Sequence, residues 1–177
     1  MMNHRIGGLS AAIAAVVVLG GAGVVAAQGP ASASTISQSY SCDVPIAGTE
    51  SVTATGSLTA TPNPATSGSS VSFALDVTSL SLSAPLAISS WTGTADIAGS
   101  GAEASSFTVS GSGGSIPANQ DISNLDFTGS WTPTASGTDS FTVGDVTIKA
   151  DIELLGTQTV TCTPTGTPPV AETLSVG

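Results

Sequence analysis

Asp145-Val146-Thr147-Ile148-Lys149-Ala150-Asp151-Ile152-Glu153-Leu154 decides the fold class of this chain. Val146, Ile148, Ala150, Ile152 and Leu154 alternate without a break with Asp145, Thr147, Lys149, Asp151 and Glu153. Successive side chains of an extended strand point to opposite faces, so strict alternation marks a strand with one buried face and one wet face. The pattern predicts a strand running through Leu154.

Further upstream the same period returns. Val71, Phe73, Leu75 and Val77 alternate with Ser70, Ser72, Ala74 and Asp76, and Val52, Ala54, Gly56, Leu58 and Ala60 alternate with Thr53, Thr55, Ser57, Thr59 and Thr61. Shorter runs lie at 80–82, 86–88, 107–109, 125–127, 141–143 and 160–162. No segment places apolar residues at helical spacing over three turns. The Ser, Thr, Gly, Val and Ala that dominate 39–164 suit either disorder or β-structure, and a disordered tract has no physical reason to alternate. Pro62-Asn63-Pro64, Gly99-Ser100-Gly101, Gly111-Ser112-Gly113-Gly114, Pro133 and Gly156 read as turns between the runs. Many short strands with such punctuation predict an all-β domain, an antiparallel two-sheet Ig-like sandwich. Trp91-Thr92-Gly93-Thr94-Ala95 and Trp131-Thr132-Pro133-Thr134-Ala135, each followed by Ser-Phe-Thr-Val, hint at a duplicated hairpin, with coincidence as the rival in so Ser/Thr-rich a chain.

The two ends read differently from the middle. Residues 1–33 have the three parts of a secretory signal peptide: a short basic start with His4 and Arg5, an apolar stretch from Ile6 to Ala27, and the small-residue site Ala31-Ser32-Ala33. Cleavage is expected after Ala33, with Ala27 as the second choice. An uncleaved anchor is the alternative, opposed by the glycines at 7, 8, 20, 21 and 23. No Arg-Arg pair, lipid-accepting cysteine or sorting motif accompanies the leader, so the expected product is secreted, free or non-covalently held at the cell envelope, with no stable membrane insertion. The domain is expected over 34–164. The last stretch, 165–177, contains Pro168-Pro169 and is expected to be a flexible tail.

Removing the leader leaves twelve acidic residues against Lys149 alone, and no His, Arg or Met. Such a surface repels phosphate backbones and anionic lipid, which argues against nucleic acid as a partner. Cys42 and Cys162 stand near the two ends of the domain. In an oxidising compartment an isolated pair reads as a disulfide, worth up to roughly 4–5 kcal/mol for a loop of this length. Two free thiols or a metal pair are the alternatives, but two cysteines without histidine are too few for a closed zinc site.

Catalytic constellations are scarce. A serine or cysteine triad needs an imidazole to accept the proton, and the domain has none. Lys149, the only amine for a serine–lysine dyad, alternates to the wet face. Paired carboxylates are the remaining enzymatic option, and twelve acids form pairs by chance. No catalytic, cofactor-binding or metal residue is assigned. Asn119, Asp121, Asn124 and Asp126, with Asp139 and Asp145 beyond, could offer oxygen ligands to calcium, against the plainer reading that Asn and Asp favour turns. Trp91 and Trp131 could stack on a sugar, against the plainer reading that they are core.

The frame Tyr40-Ser41-Cys42-Asp43-Val44-Pro45, the Thr/Val strand after it, the turn from Pro62 to Gly68 and the closing Val160-Thr161-Cys162-Thr163-Pro164 resemble secreted Ig-like domains of unknown function from actinobacteria. The resemblance spans 39–164 and implies an extracellular β-sandwich with no catalytic residues to carry over. The expected function is a non-catalytic structural or adhesive module of the cell surface, its partner a cell-envelope component or another surface protein. The alternative is a carbohydrate-binding module.

Overall fold

A computed structural model describes residues 34–45 and 47–177; the expected leader and its cleavage sites lie outside the described residues. Nine strands make up the regular structure of this region: β1 (Ile36–Val44), β2 (Gly48–Thr61), β3 (Val71–Leu80), β4 (Ile88–Gly101), β5 (Ser106–Gly113), β6 (Leu125–Trp131), β7 (Gly137–Ile152), β8 (Gly156–Pro164) and β9 (Glu172–Val176).

All nine belong to one antiparallel sheet, in the order β4-β5-β6-β3-β2-β1-β8-β7-β9. Because β4 also pairs with β7, from Ile88↔Ile152 to Gly101↔Asp139, the first eight strands form a closed circuit. The expected division into two separate sheets is therefore replaced by continuous pairing. Closure gives every strand of the circuit two neighbours and removes the exposed edges on which sheets aggregate. Elsewhere in the circuit, Cys42 lies opposite Cys162 across β1 and β8, and the two are disulfide-bonded.

One end of the sheet carries the turn 153–155 and the long connections 81–87 and 114–124. Those two connections are tied together: the Ala84 amide donates to the Gln120 carbonyl at 2.9 Å, the Asn119 amide to the Ala84 carbonyl at 2.7 Å, and the Ile122 amide to the Leu82 carbonyl at 3.0 Å. The other end gathers 62–70, 102–105, 132–136 and the C-terminus, where the Gly68 amide donates to the Pro133 carbonyl and the Ser67 amide to the Gly177 carbonyl.

Several local expectations change. The segment expected to be a flexible tail instead supplies β9, which pairs with the start of β7 through Gly137↔Val176 to Phe141↔Glu172. Ala171, Leu174 and Val176 are buried. This short apolar alternation extends the edge of β7 that β8 leaves free. Leu154 is fully exposed with φ 76°: β7 stops at Ile152, and the chain turns through 153–155 into β8. The glycines 99–101 and 111–113, expected in turns, lie in β4 and β5. At Gly111 a side chain would run into the Asp126 backbone and at Gly113 into the Trp91 ring, so these glycines allow close packing within the sheet. The duplicated hairpin is not present. Trp91 and Phe107 lie on paired strands, β4 and β5, whereas β6, which ends at Trp131, pairs with β3 and β5 rather than with β7.

Candidate functional site

Inside the closed sheet the two halves are filled differently. Toward the C-terminal end, Phe73, Phe107, Phe141 and Trp131 make a dense aromatic group. Phe73 lies 4.7 Å from Phe107 and 4.9 Å from Phe141, and Trp131 stands edge-on to Phe141 at 5.4 Å. Toward the other end the core separates into two parts. Tyr40, Cys42, Val44 and Val52 form a small cluster beneath β1, β2 and β8, apart from the main core that includes Trp91, Leu125 and Phe127.

Between them lies a partly open cavity of about 150 Å³. Its walls come from every strand of the circuit except β5, among them Gln38, Tyr40 and Cys42 of β1, Ala54, Thr55 and Gly56 of β2, Leu75 and Val77 of β3, Trp91 of β4, Phe127 of β6, Val146, Ile148 and Ala150 of β7 and Cys162 of β8, with Leu82, Ile116 and Ile122 from the cross-bonded connections. The sequence explains the shape of the wall. A register shift at Thr55/Gly56 in the pairing of β2 with β3 brings three successive residues of β2, Ala54 to Gly56, onto the lining. Small side chains at Ala54 and Ala150 leave space that larger ones would fill. Val146 and Ile148, the centre of the stretch that announced the fold, are half-buried rather than buried, because the side they turn inward faces this space.

No charged residue lines the cavity, and its polar groups are few: Gln38, Tyr40 and Thr55. The Gln38 amide nitrogen is engaged, donating to the Ser39 carbonyl at 2.8 Å and the Thr165 carbonyl at 3.3 Å. Burial pushes the Tyr40 phenol up to about 12, and the Asp145 carboxylate adds to the effect. Protein interiors ordinarily close such spaces.

The residues singled out from the sequence are scattered. Trp91 is buried, tilted against Phe127 at 5.8 Å, and contributes to the cavity wall. Trp131 is half-buried and stacked parallel to Phe107 at 6.3 Å in the other half. The two indoles do not share an outward platform. Of the oxygen-rich residues, Asn119 and Asn124 adopt left-handed turn conformations and Asp121 accepts a hydrogen bond from the Ser83 hydroxyl at 2.7 Å, which is turn chemistry. Asp139 is at the opposite end, fully buried, where its Oδ1 accepts the Glu103 amide at 2.7 Å. Glu103 in turn accepts the Thr134 amide at 2.7 Å and the Ala135 amide at 3.2 Å; the Thr134 bond leads in holding its carboxyl below the usual range. Among the described residues, no three His, Cys, Asp or Glu side chains gather as a metal site. Lys149 is exposed on the outer face of β7.

The cavity was not marked in the sequence by any motif. The available signal was weak: small residues at inward positions of strands otherwise rich in Val, Leu and Ile. No family model, curated protein or solved structure matches this chain, so its functional reading rests on this geometry.

Proposed function

We propose that the chain is a secreted, non-catalytic binding module of the cell surface whose binding site is the apolar cavity lined by its sheet. The observation that carries this reading is the contrast within one interior: an aromatic half packed tightly, and a second half holding about 150 Å³ between two apolar clusters. A cavity of this size and character accommodates a molecule of about the size of benzene. The disulfide between Cys42 and Cys162, both in the cavity wall, suits an oxidising compartment. Kinship with secreted Ig-like domains belongs to the same proposal, supported by the antiparallel strands and by the bridge that joins β1 to β8; the sandwich would then be one whose two faces are joined along both edges. Outward rows of Ser and Thr support a role in contact with envelope components. Sugar binding through paired indoles loses support from the burial of Trp91.

Toluene is a suitable probe. The reading expects saturable titration, with a change in Trp91 emission and a rise in Tm that follows mass action. Ala54→Phe, which fills the space, should abolish both effects while remaining folded by circular dichroism. Absence of any saturable effect in the native domain would overturn the interior site.

A further inference from the structure

We propose that the cavity selects small neutral molecules, hydrocarbons or alcohols with a single hydroxyl, and rejects amphiphiles of the same size that carry a charge. This rests on the reading of the cavity as a binding site and names its ligand class.

Charge sets the first limit. A carboxylate or ammonium moved out of water is tolerated only where an opposite charge or several hydrogen bonds replace its hydration. The lining offers no charged partner of either sign. The Asp145 carboxylate is felt at Tyr40 in the wall, and it would repel an anionic head. The sole cationic side chain of the described residues, Lys149, is exposed on the other face of β7, because it alternates with the inward Ile148 and Ala150. Its ammonium therefore belongs to solvent rather than to the cavity.

What remains for a polar group is modest. Gln38 already donates its amide nitrogen to two backbone carbonyls, and the surface turned to the cavity is almost wholly apolar although Gln38, Tyr40 and Thr55 contribute to it, so the wall offers a ligand at most an isolated hydrogen bond. Size sets the second limit. About 150 Å³ corresponds to a ligand of roughly six to ten non-hydrogen atoms, too small for a long acyl chain to enter whole.

The test is a matched series on the mature, oxidised domain at pH 7: hexan-1-ol, hexanoate and hexylammonium, with toluene as the neutral reference, read by Trp emission and by Tm. The expected result is binding of toluene and hexan-1-ol with at least tenfold weaker binding of both ions. Lys149→Ala should leave that discrimination unchanged. Equal affinity for either ion and the alcohol would overturn the proposed ligand class while leaving the cavity as a site. Failure of all four, toluene included, would instead overturn the interior reading on which the class rests. Loss of hexanoate binding only in Lys149→Ala would also contradict the proposal, since it would make Lys149 part of the site.

Discussion

Tyr40 shows how much one side chain can report. It is the only tyrosine in the chain, so the phenolate absorbance of the protein belongs to it alone. Burial disfavours the charged form, so ionisation in the folded state moves from 10.0 up to about 12. Unfolded chains release this proton near pH 10, folded ones near 12; the native state binds more protons between these values, and stability falls as pH rises through that window. A spectrophotometric titration should show the native phenolate near pH 12, and Tyr40→Phe should flatten the alkaline fall in Tm. A native midpoint near 10 would place the hydroxyl in water. Glycine gives a second residue-scale test. A methyl group at Gly93 would overlap the Ile148 and Phe127 side chains, whereas at Gly114 it would meet nothing. Gly93→Ala should cost about 1–3 kcal/mol and Gly114→Ala almost nothing, measured by urea denaturation. Leu154 shows where single residues escape a sequence reading. It continues the alternation of β7 faultlessly, yet it stands fully exposed in the turn, because alternation describes which side chains could face inward and not where the partner strand ends.

At the scale of elements, β3 and the centre of β7 were legible because large apolar residues sit at most of their inward positions, and β2 because Val52, Ala54, Leu58 and Ala60 keep phase against an unbroken Thr/Ser row. β4 was not, although it is among the longest strands. Its inward row, Trp91, Gly93, Ala95 and Ile97, includes residues too small to register as apolar alternation. Gly99 within β4 and Gly113 on the paired β5 look like turn signals until the close approach of Phe141 to Gly99 and of Trp91 to Gly113 is known. β9 was hidden for the opposite reason: Pro168-Pro169 announces an irregular segment, and the five-residue strand beyond it is fixed by tertiary contacts. Asn63 donates to Glu172 Oε1 at 3.2 Å and to the Thr173 carbonyl at 2.8 Å, while Leu174 is completely buried. Leu174→Ala should therefore destabilise the domain by about 2–5 kcal/mol. An unchanged denaturation midpoint would show that β9 does not contribute to the core.

For the whole molecule, the all-β class and the pairing of the two cysteines could be read from residue types and compartment logic. Closure of the sheet and the cavity could not, since both depend on long-range register and on the volume that side chains from many strands leave between them. The disulfide acts at this scale. It joins strands 120 residues apart in sequence, and replacing both cysteines by serine should remove up to roughly 4–5 kcal/mol by releasing the unfolded chain. Thermal denaturation should show a fall of several degrees or more, and an unchanged Tm would mean that pairing around the circuit alone sets the stability. The central claim is the cavity itself, and diffraction from a crystal of the mature domain under xenon pressure tests it most directly, because xenon enters apolar cavities of this size. The account predicts a xenon peak enclosed by Tyr40, Ala54, Trp91, Phe127 and Ile148. A structure with those side chains in mutual contact and no xenon between them would contradict it.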